Sequence, residues 1–190
     1  MKTRLIYRTL CVALLIVLVG MPATFHAAPA TASAPTPEPN IDIKGYYSSD
    51  KAQRGRVVRA AVVMEIPGGY HVNANHPLGK YAIPTTVKIE APRGVIVGPI
   101  AFPRALVRKL KAVNNESLAV YEGRAIMRFN VTVPANYGDG WLNLKARLRY
   151  QSCNDDVCFP PKSQDIDFGI SIVGANDRVG RANGWVFGGR

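Results

Sequence analysis

Residues 141–150 read Trp-Leu-Asn-Leu-Lys-Ala-Arg-Leu-Arg-Tyr, and apolar and polar side chains alternate along them. The apolar members are every second residue: Leu142, Leu144, Ala146, Leu148 and Tyr150. Because successive side chains of a β-strand point to opposite faces, this period of two predicts a strand with one buried and one solvated face. Such half-buried strands are typical of antiparallel sheets.

Further segments carry strand signals at short intervals, at residues 56–66, 85–90, 94–100, 123–133 and 165–173. Residues 67–69 (Pro-Gly-Gly) and 92–94 (Pro-Arg-Gly) are strong turn signals between them. Residues 105–113 are compatible with a brief helix. About seven short strands predict an all-β fold, an immunoglobulin-like antiparallel β-sandwich.

The N-terminus has the composition of a secretory signal peptide. Lys2, Arg4 and Arg8 precede an apolar run over residues 10–19, and Ala28-Pro29-Ala30 is a plausible cleavage site. That run is too short for a transmembrane helix of about 20 residues, although an uncleaved N-terminal anchor is the alternative. We therefore expect a signal peptide at 1–30, a Pro-rich linker at 31–40, a domain at 41–173 and a flexible basic tail at 174–190. The mature chain is then periplasmic or secreted, with no transmembrane segment.

Cleavage would remove Cys11 and leave Cys153 and Cys158 as a lone pair in an oxidising compartment. A ring this small restrains the unfolded chain little, by roughly 2 kcal/mol against about 3 for a 15-residue loop. A bond that opens and closes therefore fits the spacing better than a long-range staple. Short structural disulfides also exist, and that alternative stays open.

The pair falls between the strand that ends at Tyr150 and the strand that begins near Asp165, at one end of the predicted sandwich. Adjacent positions of a hairpin bring Cα atoms to about 5 Å, within the range that a disulfide requires. Pro160 and Pro161 stiffen the exit of this connection. A partner protein could reach the pair at such an edge.

Residues 150–161, Tyr-Gln-Ser-Cys-Asn-Asp-Asp-Val-Cys-Phe-Pro-Pro, resemble the active-site segment of the N-terminal domain of DsbD, the bacterial thiol:disulfide interchange protein. Residues 70–75 (Tyr-His-Val-Asn-Ala-Asn) resemble a second element of these domains. The resemblance implies an immunoglobulin-like sandwich whose redox pair is Cys153 and Cys158. Tyr150, Gln151, Phe159 and Pro160 would then support the pair, and Cys158 would form the mixed disulfide that Cys153 resolves.

The family shields its cysteines with a cap loop that carries an aromatic residue. Residues 114–123 occupy the corresponding place, and Tyr121 or Val120 would serve as the cap. The spacer between the cysteines is one residue shorter than the usual form. This chain carries neither the membrane region nor the thioredoxin-like domain of the whole interchange protein, so we expect thioredoxin-like partners to act in trans as electron donor and acceptor.

The residues between the cysteines predict thiols of low nucleophilic reactivity. Asp155 and Asp156 lie there without a Lys, Arg or His. Carboxylates disfavour a neighbouring thiolate, and we expect them to raise the thiol pKa. The disulfide would then be opened by the activated thiolate of a partner, through a mixed disulfide.

Other functional classes find little support. His71 and His76, with Asn73 and Asn75, match no zinc spacing, and we expect neither a metal nor a cofactor. The formal net charge is +11, or +8 without residues 1–30. Its densest patch is Arg104, Arg108, Lys109 and Lys111, which is compatible with peripheral contact with an anionic membrane or with an ordinary solvated face. No nucleic-acid motif accompanies it, so DNA or RNA is not an expected partner.

Two functions remain after the sequence analysis. The first is a periplasmic reductant relay that cycles the Cys153–Cys158 disulfide with thioredoxin-like partners. The second is a secreted β-sandwich binding or assembly module whose disulfide is purely structural. The two differ in the reduction potential of the bond, because structural disulfides of secreted proteins lie below about −300 mV.

Overall fold

The structure is a computed structural model that describes residues 37–188. The predicted signal peptide (1–30) lies outside the described residues, as do residues 31–36 of the linker and the last two residues of the tail. Within the described part of the chain, no helix has the length and apolar character that crossing a bilayer requires.

Residues 37–188 form twelve β-strands, one 3-10 turn (Lys111–Val113) and one short helix, α1 (Gly184–Phe187). The strands are β1 (Asp42–Tyr47), β2 (Lys51–Gln53), β3 (Val57–Glu65), β4 (His71–Asn73), β5 (Thr86–Glu90), β6 (Ile96–Val97), β7 (Leu106–Leu110), β8 (Glu116–Tyr121), β9 (Arg124–Thr132), β10 (Trp141–Tyr150), β11 (Ser152–Cys153) and β12 (Lys162–Val173).

The strands form three four-stranded sheets, in the orders β1-β3-β9-β6, β2-β12-β10-β5 and β11-β4-β8-β7. Within them, β2 and β12 pair in parallel and the other pairs are antiparallel. The predicted fold class, an all-β immunoglobulin-like sandwich, is confirmed. The smaller third sheet carries Cys153 on its edge strand β11.

The alternation along residues 141–150 is confirmed in β10, whose even-numbered side chains are buried and whose odd-numbered ones are exposed or half-buried. Leu142, Leu144, Ala146 and Leu148 are fully buried in one hydrophobic core together with residues of β3, β9 and β12. Burial of a side chain of this size stabilises the fold by about 1.5–3 kcal/mol. The main core therefore lies between the first and second sheets.

Strand β3 is buried on both faces, which explains why its sequence lacks a clean alternation. Its second face, at Ala61 and Val63, packs against Val186 and Phe187 of α1. Arg128 Nε also donates a 2.8 Å hydrogen bond to the carbonyl oxygen of Val186. Val186 and Phe187, within the segment expected to be a flexible tail, thus pack on the first sheet, whereas residues 175–181 are exposed.

Residues 105–113 differ from the expected brief helix. Leu106–Leu110 form strand β7, which pairs with β8 from Leu106 opposite Val120 to Leu110 opposite Glu116. Asn114 and Asn115 take positive φ values of 55° and 60° and close the connection. Asparagine tolerates this left-handed conformation better than most residues, so the turn chemistry and the neighbouring strand outweigh local helix preference.

Candidate functional site

A small hairpin carries the two cysteines. Asn154 N donates to Val157 O (2.9 Å), and Phe159 N donates to Ser152 O (2.9 Å), so the chain reverses over residues 154–157. Cys153 and Cys158 lie opposite each other between these two bonds and form a disulfide with a Cα–Cα distance of 4.0 Å. In an antiparallel ladder, two opposite residues that do not hydrogen-bond each other have the shorter Cα–Cα distance.

Asn154 shapes the turn between the cysteines. Its Oδ1 accepts hydrogen bonds from Asp156 N (3.0 Å) and Val157 N (2.8 Å). This is the local side-chain-to-backbone bonding that makes asparagine a turn residue. A further bond, from Ala112 N to Asp155 O (2.9 Å), ties the hairpin to the 3-10 turn. The short spacer is therefore held from within and from a neighbouring segment.

The two cysteines differ in burial. Cys153 is completely buried. Cys158 is half-buried and lines a cavity of about 290 Å³ together with Asn73, Gly79, Tyr81, Ala82, Val113, Asn114, Glu116, Leu118 and Gln151. A reagent or partner therefore meets Cys158 first.

Gln151 connects three segments around the disulfide. Its Oε1 accepts from Asn73 Nδ2 (3.0 Å) and Ile83 N (3.3 Å), and its Nε2 donates to Phe159 O (3.1 Å). One carboxamide thus joins β4, the loop before β5 and the chain that leaves Cys158. The residue needs a donor and an acceptor at once, which Gln supplies.

The other residues predicted to support the pair lie close to the hairpin and differ in their environments. Tyr150 is buried in the main core, and burial raises the pKa of its phenol. Phe159 is buried, with its ring centroid 6.2 Å from that of Tyr70. Pro160 is exposed beside it.

Tyr121 lies two strands away from the disulfide, in β8. It pairs with Val72, and its hydroxyl donates to Asn75 Oδ1 (2.6 Å) and accepts from Asn75 N (3.2 Å). The cavity beside Cys158 is bordered instead by Tyr81, which is 83% exposed, and by Val113 and Asn114. The segment expected to form the cap is largely strand β8.

Sequence reasoning missed Tyr81, Val113 and the bonding role of Asn73. Tyr81 lies in an irregular segment and Val113 ends the short 3-10 turn, and in neither place does a periodicity mark the side chain's environment. Asn73 belonged to the segment 70–75 that resembles a second element of the family, and to a group of residues that match no zinc spacing, but neither observation predicted its hydrogen bonds. Among residues 37–188, no three His, Cys, Asp or Glu side chains come together as metal ligands.

His71 is a second residue that the structure brings to the site. It lies in β4 directly opposite Cys153, is 4% exposed, and its Nε2 has no hydrogen-bond partner within residues 37–188. Burial lowers the pKa of its imidazole, while the negative charges of Glu122 and Asp155 oppose that shift.

The basic patch predicted around β7 is partly neutralised. Arg108 binds Glu122 with two hydrogen bonds, from Nε (2.7 Å) and Nη2 (2.9 Å). This pair raises the pKa of Arg108 and lowers that of Glu122. Both groups are largely solvated, so the pair contributes little to stability. Lys109 and Lys111 are exposed nearby.

Several known proteins are similar to this chain. No curated protein matches it in sequence. The N-terminal periplasmic domain of ScsB from Proteus mirabilis is 11% identical, with a TM-score of 0.45, and the match covers 73% of this chain and 48% of that one. The chain thus spans about half the length of that solved structure. The GAE domain of GGA2p from Saccharomyces cerevisiae is 11% identical, with a TM-score of 0.39 and coverages of 70% and 93%.

Residues 45–169, about two thirds of the chain, match the family model described as "Thiol:disulfide interchange protein DsbD, N-terminal". This range contains the whole cysteine hairpin and every strand of the three sheets, apart from the start of β1 (42–44) and the end of β12 (170–173). The chain belongs to the family of DsbD N-terminal domains.

Proposed function

We propose that this protein is a thiol:disulfide interchange module that relays reducing equivalents by cycling the Cys153–Cys158 disulfide. Membership of the DsbD N-terminal family supports interchange chemistry. The observation that carries the proposal is the unequal burial of the two sulfur-bearing residues. Cys158 borders an open cavity while Cys153 is fully enclosed, so a partner can attack one defined end of the bond.

The exchange follows from this asymmetry. A thiolate of the partner attacks Sγ of Cys158, a mixed disulfide forms, and Cys153 leaves with the electron pair of the broken bond. In the reverse direction, the Cys153 thiolate attacks Sγ of Cys158 in the mixed disulfide. The Cys153–Cys158 bond forms, and the partner leaves as a thiolate with the electron pair of the broken bond. Cys158 is then the exchanging cysteine and Cys153 the resolving one.

The partners in this proposal are thioredoxin-like proteins that act in trans, as electron donor and as electron acceptor. Exposed apolar side chains near Cys158 support a docking surface there. Tyr81, which lines the cavity beside Cys158, is 83% exposed, and Val157, which precedes Cys158 in the chain, is 37% exposed. Such side chains next to a reactive group are typical of protein interaction sites.

The site of action in this proposal is the periplasm. The leader-like composition of residues 1–30 supports export, and an oxidising compartment is where disulfides form and persist. Gln151, Tyr150, Phe159 and Pro160 hold the hairpin in this proposal. The place of Tyr121 in β8 favours a supporting role over a capping one.

The test is the reduction potential of the Cys153–Cys158 bond, titrated against glutathione or thioredoxin. We expect roughly −200 to −270 mV, the range of exchange proteins. A bond that resists reduction to below about −300 mV would overturn the relay and make the protein a binding or assembly module with a structural disulfide.

Trapping distinguishes the two cysteines. Cys153→Ala leaves Cys158 free, and we expect it to accumulate a mixed disulfide with a thioredoxin-like protein whose own resolving cysteine is replaced. Cys158→Ala is the matched control, because its remaining thiol is enclosed. Equal trapping by both variants would contradict the assignment of the exchanging cysteine.

A further inference from the structure

His71 occupies an unusual position next to the buried cysteine. In the antiparallel pairing of β4 and β11 it lies directly across from Cys153. Side chains of such a pair share one face of the sheet, with Cβ atoms roughly 4.5–5.5 Å apart. Both residues are buried, His71 at 4% exposure and Cys153 at 0%. The imidazole is thus a titratable neighbour of the enclosed sulfur.

The imidazole also has unused hydrogen-bonding capacity. Its Nε2 is buried and has no partner within the described residues 37–188. A buried polar atom without a partner costs free energy, and in native proteins it calls for an explanation such as a catalytic role. A purely structural histidine at this place would be expected to have both ring nitrogens bonded.

His71 also borders a cavity that is open to water. His71 lines a cavity of about 390 Å³, separate from the one beside Cys158, whose wall also includes Tyr70, Glu122 and Asp155. Gly68 and Gly69 form the exposed rim of this cavity. His71 thus belongs to the wall of a cavity that is open to solvent, while Cys153, its partner in the strand pairing, has no exposure of its own.

The charged groups that face His71 come from three elements. Glu122 follows β8, Asp155 lies in the cysteine turn, and Arg108 projects from β7. Burial lowers the pKa of the imidazole and Arg108 acts in the same direction, whereas the two carboxylates favour protonation. His71 is consequently neutral at pH 7 in the disulfide state, with one ring nitrogen able to accept a proton.

We propose that His71 passes protons between water and Cys153 during thiol:disulfide exchange. The inference rests on the proposed function. When a partner thiolate attacks Cys158, the Cys153–Cys158 bond breaks and Cys153 leaves as a thiolate with the electron pair. One proton from the cavity water, carried by the imidazole, then converts that thiolate to a thiol. In the reverse direction, His71 accepts the proton of the Cys153 thiol, and the resulting thiolate attacks the mixed disulfide at Cys158.

The role explains how an enclosed sulfur can alternate between its two protonation states. A thiolate in an apolar site is disfavoured by desolvation, and Asp155 adds a negative charge nearby. An adjacent base that exchanges protons with water provides the missing step. His71 thus has a chemical task that the cysteine pair cannot perform by itself.

A single-turnover reaction of the reduced protein with 5,5′-dithiobis(2-nitrobenzoate) tests this inference. Cys158 forms the first mixed disulfide with release of one coloured thiolate. Cys153 then displaces the second in a phase whose rate does not depend on reagent concentration. We expect His71→Gln to slow this second phase about tenfold at pH 7. That is less than the 10²–10⁴-fold typical of general acid–base catalysis, because the ordinary pKa of a thiol, about 8.5, is low enough for some thiolate to form without a base even where burial disfavours it.

The exposed His76 supplies the matched control, since His76→Gln changes the same residue type five positions away. We expect it to leave the second phase and its pH profile unchanged. In the wild type we also expect an inflection of that phase below pH 6.5, because burial lowers the pKa of His71 from that ordinary value, and we expect His71→Gln to abolish it. Equal second-phase rates and pH profiles in His71→Gln and His76→Gln would overturn the inference. A wild-type pH profile without that inflection would overturn it as well, and this measurement needs no variant.

This experiment is independent of the relay itself. A potential below −300 mV with a His71-dependent second phase would overturn the relay and leave the proton-transfer role standing. A potential in the exchange range, with a second phase that does not depend on His71, would support the relay and overturn the proton-transfer role.

Discussion

Asn73 donates a 3.0 Å hydrogen bond from its side-chain nitrogen to Oε1 of Gln151, and this bond joins β4 to the residue that leads into the cysteine hairpin. Asn73 Nδ2 also donates to Ile83 O (3.2 Å), which draws the loop before β5 into the same network. The network lies against Cys158, because both carboxamides line its cavity. The position of the accessible cysteine is thus set by amide groups from two separate parts of the chain.

Replacement of Gln151 by Ala should destabilise the oxidised protein by about 1–3 kcal/mol, since it leaves partly buried groups of Asn73, Ile83 and Phe159 without their partner. Urea unfolding at neutral pH measures the change. Gln164→Ala is the control, because Gln164 makes one long contact of 3.5 Å with Tyr150. An equal loss in both variants would show that the carboxamide network adds nothing.

The two thiols of the reduced protein should differ in their rate of alkylation. We expect Cys158 in the Cys153→Ala variant to react with N-ethylmaleimide at least about tenfold faster than Cys153 in the Cys158→Ala variant, because reactivity follows access to the thiolate. Mass spectrometry of timed samples gives both rates. Rates that agree between the variants, in protein shown to be folded, would mean that the enclosure of Cys153 is lost on reduction.

Replacement of Tyr81 by Ser should slow reduction of the disulfide by a thioredoxin-like protein and leave reduction by dithiothreitol unchanged. The side chain is 83% exposed beside Cys158, so its removal alters the proposed docking surface and disturbs no core contact. Truncation of a central interface residue costs binding about 1–2 kcal/mol or more, which corresponds to a five- to thirty-fold slower reaction at low concentration. Leu106→Ser on exposed β7 is the control. The docking site would lie elsewhere if Tyr81→Ser reacted with the protein partner at the wild-type rate.

We expect His71 to lower the free energy of unfolding as the pH falls below 6.5, the ordinary pKa of histidine. Burial lowers the pKa of this imidazole in the folded state, so the unfolded chain binds the proton first. The contribution of neutral His71 to stability is complete above pH 6.5, the pKa of histidine in the unfolded chain. It is lost progressively as the pH falls towards the lower pKa that His71 has in the folded protein. Urea unfolding from pH 7.5 to 5 should show this decline in the wild type and in His76→Gln, with a smaller decline in His71→Gln. A decline of the same size in all three proteins would assign it to other groups.

The C-terminal segment should contribute measurably to stability. Phe187→Ala removes a ring that is 6% exposed on the outer face of the first sheet, and we expect a loss of about 3 kcal/mol in urea unfolding. Val179→Ala, at a residue that is 38% exposed, is the control and should change stability by less than about 0.5 kcal/mol. No loss in Phe187→Ala would mean that the segment does not pack on the sheet in solution.

The sequence by itself determined the fold class and the identity of the cysteine pair. In β10 and β9 the period of two survives because one face of each strand meets the core and the other meets water. That difference in solvation is a local property, readable from one strand at a time. The order of residues around Cys153 and Cys158 was equally readable, because a short hairpin is built from neighbours in the chain.

Only the tertiary structure decided which cysteine is enclosed and what surrounds it. His71 and Cys153 are 82 positions apart in the chain, and strand pairing places them opposite each other. Local preference predicted the wrong element at residues 105–113, where pairing with β8 produces a strand. Burial of Val186 and Phe187 depends on a face of β3 that no local pattern reveals. Contacts between distant segments depend on register and packing of the whole sandwich, so the chemistry around the disulfide emerges only once the sheets are assembled.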